Sequence, residues 1–226
     1  MELERPPEPS VADVLALLGE RASALRRDEM STRYGIHTPH ALGVAMGDMK
    51  RVAREIGPSH ELAEALWDSG VYEARMVASM VDEPARVTSS QMDSWCADFD
   101  NWAICDTVCF NLFDRSPGAW DKVAPWAGRS EEFVKRGAFA LLWSLALHDK
   151  DATDDRFLPA LAVVERESSD ERRMVTKAIS MALKAVGKRN AALRGATLEA
   201  ALRMADQPSG PARSIGRGAL RELGHG

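Results

Sequence analysis

Apolar positions recur every three to four residues along nearly the whole chain. That is the period of an α-helix, not the alternation of a half-buried strand. Ser10, followed by Val11, Val14, Leu15, Leu17 and Leu18, reads as an N-cap opening an amphipathic helix that runs to about residue 27. The pattern repeats over 42–56, closed by Gly57-Pro58. Further helices are predicted over 60–69, 72–81, 89–99, 102–113, 119–126, 131–148, 156–167, 170–186, 191–205 and 212–223. The gaps carry chain breakers: Gly70, Pro84, Ser116-Pro117-Gly118, Gly128, Gly187 and Pro208-Ser209-Gly210-Pro211. No segment alternates convincingly as a strand.

The helices are short and pair in sequence. Second members are predicted to start near Tyr72, Trp102, Glu131, Asp170 and Ala212, at intervals of roughly 30–40 residues, within the range of HEAT-type helical repeats. The expected fold is all-α, an α-α superhelix of HEAT-like repeats. It is expected to form one curved domain over residues 1–226, its concave face lined mainly by one helix of each pair. Residues 1–9 and the glycine-rich tail 216–226 are expected to be disordered. A repeat stack of this kind is compatible with protein or nucleic-acid partners.

Composition narrows this picture. Of the 226 residues 45% are hydrophobic, enough for a sizeable core. No apolar run approaches the roughly 20 residues of a membrane span, so no membrane association is expected. The N-terminal Met1-Glu2-Leu3-Glu4-Arg5-Pro6-Pro7 lacks the apolar core of a signal peptide, and a cytoplasmic location is expected. The net charge of −5 argues against a general polyanion binder, but the charge is unevenly placed. Residues 171–226 hold 11 Lys/Arg against 4 Asp/Glu, leaving 18 against 30 for the preceding 170 residues. A basic last third on an acidic body is either a directional electrostatic face or an ordinary solvated surface.

Chemistry-bearing residues are few. Cys96, Cys105 and Cys109 form no CxxC and have no nearby His, so they read as buried free thiols. His37, His40, His60, His148 and His225 show no ligand spacing, and no metal or organic cofactor is expected. Trp67, Trp95, Trp120, Trp126 and Trp143 read as packing residues. Trp102 and Asp106 lie four residues apart, on one face of a helix. An aromatic surface beside a carboxylate suits a nucleoside whose sugar becomes positively charged. The same spacing also suits a core Trp beside a surface Asp.

Four segments in order resemble the HEAT-like-repeat glycosylases of the bacterial DNA alkylation-repair (AlkD-type) family. They are Arg33-Tyr34-Gly35-Ile36 with Leu42-Gly43-Val44, Leu66-Trp67-Asp68-Ser69-Gly70 with Glu73-Ala74-Arg75, Phe99-Asp100-Asn101-Trp102-Ala103-Ile104-Cys105-Asp106, and Phe133-Val134-Lys135-Arg136-Gly137-Ala138-Phe139-Ala140. Lys177-Ala178-Ile179 continues the match, which covers about residues 28–190. The resemblance implies a monofunctional DNA glycosylase of base excision repair. Such an enzyme hydrolyses the N-glycosidic bond of N3- or N7-alkylated purines in duplex DNA without flipping the base into a deep pocket. It implies Asp106 as the catalytic carboxylate, Trp102 as its aromatic partner, Arg136 as a phosphate contact and Tyr34 as an aromatic near the DNA. Where the family often has a second Trp after Lys-Ala-Ile-x, this chain has Met181.

The chemistry suits these residues. Alkylation makes the purine a cationic leaving group that needs no protonation, and bond cleavage leaves an oxocarbenium-like sugar. A fixed carboxylate stabilises that charge and positions water. No lysine lies beside Trp102 and Asp106, so Schiff-base strand cleavage is not expected. Lys135, Arg172, Arg173, Lys177, Lys184, Lys188, Arg189, Arg213, Arg217 and Arg221 are candidate phosphate contacts, largely independent of sequence. Met181 is expected to pack on a sugar or base. Arg136 could instead pair with Glu132, one turn earlier. A monomer would suffice for this activity, located at the nucleoid when on DNA. The other readings are a non-catalytic HEAT-repeat binder of DNA structures, favoured by Met181, and a protein-interaction scaffold.

Overall fold

In a computed structural model the described residues are 9–224, and they contain thirteen α-helices, two 3-10 turns and no strand. The chain divides into two compact units, one ending at Val87 and one beginning at Thr88. The expected N-terminal disorder falls almost entirely outside the described residues.

The first unit holds α1 (Val11–Gly19), α2 (Ala24–Thr32), α3 (Met46–Ile56), α4 (His60–Asp68) and α5 (Tyr72–Val81). Val14, Leu18, Val52, Leu66, Trp67 and Met76 are buried in its core. Two features depart from the periodicity. The single helix expected over 10–27 is two helices, because Ser23 leaves the helical conformation. Its amide donates to the Leu42 carbonyl and its hydroxyl caps Arg26. The helix expected from residue 42 starts only at Met46. Residues 42–44 are drawn out of helix by one carboxylate: buried Glu73 accepts from the amides of Leu42, Gly43 and Val44 at 2.8, 2.7 and 3.1 Å. Gly43 sits at φ 80°, where a Cβ would lie 2.2 Å from the Ser23 carbonyl oxygen.

The second unit holds α6 (Ser89–Ala97), α7 (Trp102–Asn111), α8 (Ala119–Ala127), α9 (Glu132–His148), α10 (Asp154–Glu167), α11 (Arg173–Gly187), α12 (Ala191–Ala205) and α13 (Gly210–Leu223). Helix α9 is its centre, packed against α7, α8 and α11. It is buried on nearly every face, as its apolar run over Gly137–Leu142 requires. The second members of the helix pairs begin at Tyr72, Trp102, Glu132, Arg173 and Gly210, close to the predicted starts. All three cysteines are buried and free, and Trp67, Trp95 and Trp126 are buried. Trp120 and Trp143 pack edge-on against Phe157 and Phe110.

The expected disordered tail is instead helical through Leu223. Gly216 is a packing position. A Cβ on Gly216 would sit 2.4 Å from the Ala201 carbonyl oxygen and 2.6 Å from the Ala205 amide nitrogen. Helix α13 thus approaches α12 at a distance only glycine allows. The terminal His225 and Gly226 lie outside the described residues.

Candidate active site

The site forms where α7, α9 and α11 pack together in the second unit. Asn101 sets its first element. The Asn101 side-chain carbonyl accepts from the amides of Ala103 and Ile104, both at 3.0 Å, so α7 begins at Trp102. Trp102 and Asp106 then stand one turn apart, and both are partly exposed. The α7 residues between and after them, Ile104, Cys105 and Val108, face the core.

Asp106 does not stand alone. Arg136, from the first turns of α9, donates from Nε to Oδ1 at 2.9 Å and from Nη2 to Oδ2 at 2.6 Å. Its remaining terminal nitrogen donates to the Met174 carbonyl of α11 at 2.5 Å. The arginine side chain is 3% exposed and that of Asp106 19% exposed. One guanidinium thus ties three helices together and holds a carboxylate in a two-point, planar pair. The alternative Arg136–Glu132 pair does not form. The phosphate contact expected of Arg136 meets a different arrangement, since its donors point inward at Asp106 and Met174.

Burial pushes the Asp106 carboxyl above its ordinary range. The Arg136 hydrogen bonds oppose this, as do the charges of Arg136 and Lys177. Burial also disfavours charge on Arg136, but Asp106 outweighs it and holds the guanidinium protonated. A pair of this kind fixes a carboxylate in direction while leaving part of its edge open.

The ten basic candidates separate sharply. Lys135 is tied to Glu167 at 2.7 Å and to Asp170 at 3.4 Å. Arg172 pairs with Asp170 and donates to the Ser130 carbonyl. Arg189 donates to the carbonyls of Ala146 and Ala152 and stacks 4.3 Å from the Phe157 ring centre. Lys184 and Lys188 both hold Glu222, whose carboxyl they pull down to about 2. Arg213 caps the carbonyls of Gln207 and Pro208. Arg173, Lys177, Arg217 and Arg221 have no ion-pair partner among the described residues. Arg173 and Lys177 are exposed on α11, four residues apart, with half-buried Met181 one turn further on the same face. Tyr34 belongs to the other unit, is 46% exposed, and carries the Arg33 guanidinium 5.4 Å from its ring centre.

The family described as DNA alkylation repair enzyme matches residues 14–223. The chain belongs to this family. No curated protein matches it. Among solved structures it is similar to a protein described as one of a new family related to the HEAT-like repeat DNA glycosylases, with affinity for branched DNA structures. The TM-score is 0.76 at 21% identity, over 95% of this chain and 96% of that chain. The likeness establishes the fold as the HEAT-like-repeat architecture expected from the helix spacing.

Sequence reasoning missed the Met174 carbonyl and the inward turn of Arg136. A backbone acceptor leaves no mark in side-chain spacing. A separation of 30 positions between Asp106 and Arg136 says nothing of their contact until α7 and α9 are packed.

Proposed function

We propose that this chain binds DNA over the exposed side of α11 and excises N3- or N7-alkylated purines at Asp106. The observation that carries this reading is the two-point Arg136–Asp106 pair one turn along from Trp102. It gives the carboxylate a direction before substrate arrives, the preorganisation that stabilising a developing positive charge requires. In the reaction the C1′–N bond breaks and its electron pair leaves with the base, which becomes neutral. Positive charge passes to the sugar, facing Asp106 and the Trp102 ring, the latter worth roughly 0.5–2 kcal/mol. Water then bonds to C1′ and gives up its proton by way of Asp106. Arg136 is the positioning residue for Asp106, and Lys177 and Arg173 meet phosphates. No organic cofactor takes part in this scheme.

The experiment is direct. The protein is incubated with duplex DNA carrying N7-methylguanine, and free base is measured. Release above the uncatalysed background is expected.

A second reading is a non-catalytic binder of DNA structures. Met181, where the family often has an aromatic, favours it, as does the affinity for branched DNA described for the structural relative. Its signature in the same experiment is retained DNA binding without released base.

A further inference from the structure

Helices α11 and α13 flank an open groove of about 560 Å³. Its wall on α11 carries Arg173, Lys177, Ser180 and Met181, and its wall on α13 carries Ser214 and Ile215. The side chains of Arg173, Lys177, Ser180 and Ser214 make no hydrogen bond or ion pair among the described residues. Six of the ten basic candidates are committed to internal partners, so two free cations and two free hydroxyls around one groove are an unusual concentration. One opposing charge, Glu171, also lines the groove. Met181 and Ile215 supply an apolar floor between the polar rims.

The α11 end of the groove adjoins the site: Arg173, on its wall, is next in the chain to Met174, whose carbonyl accepts from Arg136. The groove's volume lies in the range of small-ligand pockets, roughly 300–1,000 Å³. That volume accommodates a nucleotide or two of one strand. Cations for the backbone, hydroxyl donors for phosphate oxygens and an apolar floor for sugar and base are the elements of a single-strand site.

From this we infer that the α11–α13 groove holds a single-stranded DNA segment that leaves the duplex beside Asp106. The inference rests on the DNA-binding half of the proposed function, and its ligand is a frayed end, flap or branch strand.

The test compares two fluorescent probes by anisotropy, a short blunt duplex and the same duplex with an oligothymidine overhang. Wild type is compared with Ser214→Asp, which adds a like charge to the groove, and Ser214→Trp, which fills it. Ser214 is exposed near the start of α13, where an aspartate also suits the helix dipole, so both variants are expected to fold. Wild type should bind the overhang probe about tenfold more tightly than the blunt one. Both variants should lose that gain and bind the blunt duplex as wild type does. Equal binding of the two probes by wild type, or a gain that survives both substitutions, overturns the groove assignment and leaves duplex binding standing. Failure of wild type to bind either probe overturns the DNA-binding reading itself, and the groove assignment with it.

Discussion

At the scale of single residues, the outcome turns on Arg136. The family resemblance pointed to a phosphate as its partner and helical spacing to Glu132. The structure makes it the brace of Asp106. Removing it would strand a mostly buried carboxylate, so Arg136→Ala should destabilise the fold by about 3 kcal/mol in urea denaturation. The same variant should leave the salt dependence of DNA binding unchanged, because its donors already point inward. A shallower salt slope in Arg136→Ala would show that Arg136 leaves Asp106 for a phosphate on binding. Burial also raises Asp106, so the ionised form that stabilises the sugar is lost at a pH above the ordinary 3.8. Background-corrected excision should therefore fall on acidification with an apparent pKa above 3.8, and a flat profile down to that value would count against Asp106. That Trp102 and Asp106 share one face was legible from helical spacing alone, whereas their roles, and the choice of Met181, came only from the family resemblance. The pairings of Lys135, Arg172 and Arg189 were not legible, because a cation's partner sits on another helix and sequence spacing cannot show it.

At the scale of elements, ten of the predicted helices appear within a few residues of their expected bounds, and Tyr72–Val81 and Ala191–Ala205 coincide with them. The misreadings occur where tertiary hydrogen bonds override local preference. Glu73 captures three successive amides, so the apolar periodicity that begins at Leu42 cannot become a helix until Met46. Glu73→Ala would orphan those amides in a buried site and should cost about 3 kcal/mol or more, read from the thermal or urea transition. The glycine-rich tail illustrates the converse error. Glycine was read as flexibility, whereas Gly216 is where two helices touch. Gly216→Ala should destabilise by about 2–3 kcal/mol and loosen α13 first, detectable as faster amide exchange over residues 210–223. Unchanged exchange there would mean that α12 and α13 are not packed so closely.

At the scale of the whole molecule, the uneven charge is real but partly committed to internal partners. In the basic last third Arg172, Lys184, Lys188 and Arg203 hold carboxylates and Arg189 and Arg213 hold backbone carbonyls, while Arg173, Lys177, Arg194, Arg217 and Arg221 have no ion-pair partner among the described residues. The expected salt slope for duplex binding is therefore modest, about 2–4 in log–log terms, rather than the steeper value that all ten basic residues would give. The fold class was legible because repeat spacing and amphipathicity are long-range regularities that survive local error. The proposed activity rests on the chemistry of one carboxylate, Asp106. The measurement that tests it most directly is single-turnover base release from a duplex bearing N7-methylguanine, wild type against Asp106→Asn, with DNA affinity measured on both. The predicted result is a loss of about a hundredfold or more in the release rate at nearly unchanged affinity. Release by Asp106→Asn at the wild-type rate would contradict the account.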